Sequence, residues 1–131
     1  MAEEIHILAL AAVLLLAHIF AAIHFKTRQY GVEWNMGARD ETMPPLNPIA
    51  GRLERARNNF LETLPIAIIA LLGVVIAGRT SETTVLGGWI WLGARAVYLV
   101  VYWAGIPRLR TLVYGVSMAG LLMALWPLLA G

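Results

Sequence analysis

The sequence has 131 residues, of which 60% are hydrophobic, and its mean hydropathy is +0.71. So apolar a chain cannot cover itself with polar side chains in water, which excludes an ordinary soluble domain and predicts an integral membrane protein. The absence of cysteine excludes disulfides, thiolate metal sites and a protein thiol nucleophile. The net charge of +2 reflects membrane topology, so we expect no nucleic-acid partner.

Four apolar runs are each close to the roughly 20 helical residues that cross a hydrocarbon core about 30 Å thick. The predicted helices span about residues 5–25, 58–77, 84–104 and 110–129. The predicted fold class is therefore all-α, an integral membrane four-helix bundle. We expect residues 1–131 to form a single transmembrane domain.

The first apolar run differs from a secretory signal peptide. Its leader, Met-Ala-Glu-Glu, is acidic, and its apolar run is about 20 residues long, whereas a signal has a basic leader and a shorter core. We therefore expect a retained helix.

The connection between the first two predicted helices, about residues 26–52, is rich in turn formers and helix breakers. It carries Asn, Gly, Asp and Pro residues at positions 35, 37, 40, 44, 45, 47, 48 and 51. This density predicts an interruption of the helix, either an ordered cap or a mobile lid.

Basic residues are concentrated on one side of the predicted membrane topology. Eight of the ten lie in or next to the first and third connections: Lys26, Arg28, Arg39, Arg52, Arg55, Arg57, Arg108 and Arg110. The opposite side has only Arg79. Because basic loops remain in the cytoplasm, we expect both termini to lie outside.

Polar side chains share one face at the start of the second predicted helix. At 100° per residue, four of them lie within an arc of about 80°: Arg52, Arg55, Asn59 and Glu62. Arg57 points roughly the opposite way. Arginines here could simply anchor the helix at the headgroups. However, an unpaired Glu62 inside the apolar run costs on the order of 3 kcal/mol, so we expect it to face the bundle and pair with an arginine.

The third predicted helix carries a second stripe, formed by Trp91, Arg95, Tyr98 and Tyr102. Arg95 is predicted to lie in mid-membrane, where it needs Glu62, a ligand carboxylate or a water-filled cavity. A structural ion pair with Glu62 and a direct ligand contact remain equally open. The two tyrosines could belong to the interfacial aromatic belt, but their alignment with Arg95 favours the interior.

Beyond the third helix, the chain turns at Gly105 and Pro107 and presents Arg108 and Arg110, with Tyr114 one helical turn later. These arginines are either topological charges or cations at the rim of a polar pocket.

Two other patterns are weak. Gly115/Ala119 and Gly120/Ala124 form small-xxx-small pairs that would let another helix approach closely. The three histidines are too widely spaced for a helical metal pair, so no metal site is predicted.

Two sequence blocks resemble a known membrane family. The first block is Glu54-Arg55-Ala56-Arg57-Asn58-Asn59-Phe60-Leu61-Glu62-Thr63-Leu64-Pro65. The second is Ala94-Arg95-Ala96-Val97-Tyr98-Leu99-Val100-Val101-Tyr102, followed by Gly105, Pro107 and Arg110. Both resemble the membrane-associated proteins in eicosanoid and glutathione metabolism, the MAPEG family. The resemblance runs over nearly the whole chain and is to a bacterial-type, microsomal glutathione transferase-like member of the family. That family includes glutathione transferases, leukotriene-C synthase and prostaglandin E synthase.

The resemblance implies a homotrimer in a bacterial inner membrane, with glutathione sites between subunits that open toward the cytoplasm. It implies that the residues holding the tripeptide are Arg55, Asn59, Glu62, Arg95, Tyr98 and Tyr102, with Arg52, Tyr114 and, more loosely, Lys26 or Arg28. Arg110 would stabilise the glutathione thiolate, with the adjacent Arg108 as the competing choice.

The implied function is a glutathione-dependent transferase of the detoxifying kind, in which glutathione is the co-substrate. The thiolate would attack an apolar electrophile that arrives from the membrane lipid, or would reduce a peroxide. The alternative is a non-catalytic lipid- or glutathione-binding protein of the same family. A small multidrug exporter is a third reading, disfavoured because the arginines around Glu62 would keep that carboxylate ionised.

Overall fold

The computed structural model describes residues 1–131 as four long helices and one short helix, without β-strands. The helices are α1 (Glu3–Tyr30), α2 (Val32–Met36), α3 (Pro48–Ile76), α4 (Glu82–Ala104) and α5 (Pro107–Leu129). Helices α1, α3, α4 and α5 are each long and apolar enough to cross a membrane. The predicted all-α membrane bundle is confirmed.

Helix α3 begins at Pro48, whereas the sequence pattern placed the start of this span near residue 58. The Asn47 side chain accepts a hydrogen bond from the Ala50 N–H at 2.9 Å and so caps the helix. Pro48 occupies the first turn, where its missing N–H removes no helical bond. Residues interpreted as helix breakers therefore start a helix, and the polar row on α3 lies on regular helix from its first member.

The connection between α1 and α3 is shorter than predicted and is held to the end of α1. Helix α1 ends at Tyr30, and the next residue, Gly31, has a φ of 100°. The Gln29 side chain donates to the Pro45 carbonyl at 3.0 Å and accepts from the Asn47 N–H at 2.7 Å. These bonds describe an ordered connection, which favours the cap over the lid.

The hydrophobic core lies where α1, α3, α4 and α5 meet. Its fully buried large members include Ile7, Phe60, Leu71 and Trp91. His18 is also buried and stacks on Phe60, with ring centroids 4.7 Å apart. Much apolar surface stays exposed on the outer faces, as expected where lipid or another subunit is the neighbour.

Helices α4 and α5 approach each other most closely at Gly87 and Gly120. A Cβ at Gly87 would lie 2.5 Å from the Gly120 carbonyl oxygen, and a Cβ at Gly120 would lie 2.7 Å from the Gly87 carbonyl oxygen. The Gly120/Ala124 pair therefore packs inside the subunit. The exposed Gly115, by contrast, has no atom within 4 Å of its Cβ position.

A buried carboxylate joins α1 to α4 at the end of the bundle opposite the basic connections. Glu4 is 1% exposed, and the Thr84 hydroxyl donates to it at 2.6 Å. Thr84 also closes a capping box with Ser81 at the start of α4. The acidic leader is thus partly a packing element.

Candidate functional site

The polar row on α3 faces the outside of the bundle within the single subunit. Arg55 and Glu62 are both exposed, and Asn59 between them is half-buried. From Arg55 to Glu62 the row extends about 10 Å along the helix, since each residue rises about 1.5 Å. The carboxamide oxygen of Asn59 is buried without a hydrogen-bond partner. An orphaned acceptor beside two exposed charges indicates a place built for a polar ligand.

The stripe on α4 passes from the core to the end of the bundle that carries the basic connections. Trp91, Arg95 and Tyr98 are buried, whereas Tyr102 is half-buried. The Tyr98 and Tyr102 rings meet edge to face, with centroids 5.5 Å apart. Tyr102 therefore brings the α4 stripe to the surface, where it meets the α3 row.

Arg55 and Arg110 converge on Tyr102 from two helices. The Arg55 Nε–H donates to the Tyr102 hydroxyl at 3.1 Å. The Arg110 guanidinium carbon lies 5.0 Å from the centroid of the Tyr102 ring, within the range of a cation–π contact. Three residues that are far apart in the sequence thus form one cationic corner.

Two adjoining cavities share this corner. The first has a volume of about 250 Å³ and is lined by Arg52, Arg55, Tyr102, Gly105, Ile106, Pro107 and Arg110. The second has a volume of about 340 Å³ and is lined by Arg55, Asn58, Asn59, Glu62, Tyr98, Tyr102 and Arg110. Small-ligand pockets commonly measure about 300 to 1,000 Å³, a range that the second cavity reaches alone.

The cavity charges are not neutralised within the chain. Its only two ion pairs join Glu54 to Lys26 and to Arg57. The arginines of the first cavity and Glu62 of the second therefore have no ionic partner. An incoming molecule that carries both carboxylates and an ammonium group would complement them.

Arg95 does not form an ion pair with Glu62 within the subunit, which was one of the two alternatives left open. The prediction that Glu62 faces the bundle and pairs with an arginine is wrong within one subunit, because Glu62 is exposed on the outer face of α3 without an ionic partner. The Arg95 side chain is fully buried, and none of its three guanidinium nitrogens has a hydrogen-bond partner. Its guanidinium carbon lies 4.4 Å from the Tyr98 ring centroid, 5.4 Å from that of Phe60 and 5.6 Å from that of Tyr114. Aromatic faces supply the negative potential expected from a carboxylate. Arg95 lines neither cavity, and it contacts two of the predicted site tyrosines, Tyr98 and Tyr114, from the interior of the bundle.

Several predicted site residues lie away from the two cavities. Lys26 is paired with Glu54, and the Arg28 guanidinium carbon lies 5.7 Å from the Phe25 ring centroid. Tyr114 faces Arg95 and Tyr98. Within one subunit, these three line neither cavity.

The two neighbouring arginines at the start of α5 are separated by the structure. Arg110 lines both cavities, whereas Arg108 is exposed and lines neither. The two arginines are two helical positions apart, which turns their side chains about 200° from each other and accounts for the difference.

Sequence reasoning missed two groups of cavity residues. Asn58 lines the second cavity because it flanks Asn59, although the helical-wheel argument selected only Asn59. Gly105, Ile106 and Pro107 line the first cavity with backbone and apolar surface. The glycine and proline in this segment predicted a turn between two helices but gave no indication that the turn would line a cavity.

No group of three or more His, Asp or Glu side chains is placed to hold a metal ion. The polar side chains that line the two cavities offer guanidinium, amide, carboxylate and phenol groups.

The fold and the cavities define a multi-pass helical membrane protein with a cationic polar site at one end of the bundle. The family model described as the MAPEG family matches residues 5–130. The chain therefore belongs to the MAPEG family, which includes glutathione transferases and related proteins. Searches among curated proteins and among solved structures find no significant match.

Proposed function

We propose that the protein is a glutathione-dependent transferase that works within the membrane. The observation that carries the proposal is the convergence of Arg55, Asn59, Glu62, Tyr102 and Arg110 around adjoining cavities. Family membership supports it, because the family includes glutathione transferases.

The charges of glutathione fit the residues present. The tripeptide carries two carboxylates, which match the unpaired cationic charge of the first cavity and the guanidinium group of Arg55 in particular. Its ammonium group matches Glu62, and its amide N–H groups match the orphaned oxygen of Asn59. Each charged end of the ligand thus finds a group that has no ionic partner in the chain.

Arg110 is the residue proposed to act on the thiol. A free thiol has a pKa of about 8.5, and a nearby cation lowers that pKa and raises the thiolate fraction. The proton leaves to water, the sulfur forms a bond to an electrophilic carbon, and the leaving group departs with the bonding electron pair. Peroxide reduction is the second reaction open to the same thiolate: the sulfur takes one peroxide oxygen, the alcohol leaves, and a second glutathione reduces the sulfenic acid to give the disulfide and water.

The electrophile is proposed to be an apolar molecule that is dissolved in the lipid. The second cavity lies on the outer face of α3, where Leu61, Ile66 and Ile69 are also exposed. An apolar compound concentrates in the bilayer and reaches this face without crossing water.

The protein is further proposed to act as a homotrimer. Glu62 is exposed on a transmembrane helix and has no ionic partner in its own subunit. Because lipid cannot solvate a carboxylate, a neighbouring copy should cover Glu62, which leaves the lipid route to the cavity at the boundary between the two subunits. A purified protein with the mass of one subunit would contradict this. The site is proposed to face the cytoplasm of a bacterium, with both termini on the opposite side.

The ammonium subsite predicts the behaviour of Glu62→Gln. Loss of a hydrogen bond between charged groups costs about 1.5 to 3 kcal/mol, so we expect KM for glutathione to rise by roughly tenfold to a hundredfold. Conjugation of glutathione to a generic aryl halide by purified protein measures this. Glu54→Gln is the matched control, because Glu54 is on the same helix but lines neither cavity.

A second substrate sharpens the test. N-acetylglutathione lacks the ammonium charge, so the wild-type protein should bind it less tightly than glutathione, whereas Glu62→Gln should discriminate little between the two. Equal discrimination by both proteins would contradict the assignment of Glu62. Glutathione binding without any conjugation or peroxide reduction would instead identify the non-catalytic binding protein.

A further inference from the structure

Arg52 is bonded to the end of another helix. Its Nε–H and Nη2–H groups both donate to the Trp103 carbonyl, at 3.3 and 3.1 Å. Trp103 is in the last turn of α4, where helical carbonyls lack N–H partners from their own helix. A cation at this end also interacts favourably with the helix dipole. Arg52 therefore ties the first turns of α3 to the last turn of α4.

The turn after α4 lets the Arg52 guanidinium approach closely enough to bond the Trp103 carbonyl. Gly105 has a φ of 77°, which glycine adopts with little strain, and its N–H bonds back to Val101 at 3.0 Å. A Cβ at Gly105 would lie 3.2 Å from Cζ of Arg52 and 3.3 Å from its Nε. The Arg52 guanidinium thus lies directly against the turn and donates to the Trp103 carbonyl, two residues before Gly105.

The same turn determines where Arg110 lies. Pro107 starts α5 immediately after the turn, and the Arg110 N–H donates to the Ile106 carbonyl at 3.1 Å. Arg110 is thus in the first turn of α5. A shift of residues 105–107 would move its guanidinium relative to Tyr102 and the cavities.

Arg57 offers a comparison on the same helix. Its guanidinium reaches Glu54 and the Asn58 side chain, both within α3, and bonds no other helix. Arg52 contacts α4 and the turn instead. A headgroup anchor would need neither contact.

We propose that Arg52 is a positioning residue that clasps the turn between α4 and α5 and thereby holds Arg110 over the cavity. The clasp is a property of the ligand-free protein. Its consequence for the thiol rests on the proposed glutathione function.

Hydrogen exchange in the protein without ligand tests the clasp directly. In Arg52→Gln, the amides of Gly105, Ile106 and Arg110 should exchange roughly tenfold faster, because a charge-assisted bond is lost. Arg52→Lys should restore part of the protection, and Arg57→Gln should leave these amides unchanged. Unchanged exchange in Arg52→Gln would overturn the proposal, whatever the protein does with glutathione.

The pH dependence of thiolate absorbance separates positioning from direct ligand binding. With Arg110 displaced, the pKa of the bound glutathione thiol should rise toward the free value of about 8.5, and kcat at neutral pH should fall. A direct carboxylate ligand would instead raise KM and leave the thiol pKa unchanged, which would overturn the positioning role. Faster exchange in a protein that never binds glutathione would support the clasp and overturn the proposed function.

Discussion

Arg110→Ala should lower kcat/KM for glutathione conjugation by about a hundredfold to a thousandfold, as removal of one preorganised donor to a developing or existing anion does. Arg110 lines both cavities and is the only arginine of α5 that lines either one. Without it, the pKa of the bound thiol should return toward about 8.5 and the thiolate fraction at neutral pH should fall. Activity toward an aryl halide and thiolate absorbance measure the two effects.

Arg108→Ala is the matched control, since Arg108 is two residues away but exposed and lines neither cavity. It should retain activity within about a factor of two, as surface substitutions usually do. Full conjugating activity in Arg110→Ala would remove Arg110 from the mechanism. Loss of activity in Arg108→Ala alone would transfer the role to Arg108.

Gly120→Ala should destabilise the fold by at least about 1 to 3 kcal/mol, the usual cost of overpacking, because the added methyl group meets backbone. Its Cβ would lie 2.7 Å from both the Gly87 carbonyl oxygen and the backbone nitrogen of Trp91. These backbone atoms cannot move without separating α4 from α5. Thermal unfolding in detergent measures the loss, and the fraction of protein recovered without aggregation provides a second readout.

Gly115→Ala provides a control of opposite sign. Gly115 is on the same helix with no atom within 4 Å of its Cβ position. Alanine has a higher helix propensity than glycine by about 1 kcal/mol, so this change should be neutral or stabilising. A Gly120→Ala protein as stable as the wild type would show that the two helices do not approach closely at this glycine.

The membrane spans and the two polar rows could be read from the sequence because both depend on local periodicity. Arg55, Asn59 and Glu62 lie at spacings that place them on one face of α3. Tyr98 and Tyr102 likewise share one face of α4. Both faces follow from spacing alone, before any packing is known. Their convergence followed only from the family resemblance.

The start of α3 could not be read in the same way. Pro48 and Gly51 count as helix breakers in a local reading, yet a proline in the first turn and an Asn47 cap produce a helix start. The decisive signal was the order of these residues, an asparagine cap immediately before a proline in the first turn.

The environments of Arg95 and Glu4 depend on residues from other helices. The sequence indicated that a mid-membrane arginine needs an anion, but Phe60 on α3 and Tyr114 on α5 surround it with aromatic faces instead. In the sequence Glu4 is only part of an acidic leader, whereas in the structure it accepts a hydrogen bond from Thr84 of α4. Such pairings arise from tertiary packing and leave no local pattern.

The central claim is that glutathione binds at the cationic corner as its thiolate. Thermal unfolding of the purified wild-type protein, with glutathione and with glutathione sulfonate in parallel, tests it most directly. Both should raise the melting temperature, because a ligand that binds only the folded state stabilises it. The permanently anionic sulfonate should act at lower concentration, since it needs no deprotonation beside Arg110. No stabilisation by either compound, with the protein folded and assembled, would contradict the account.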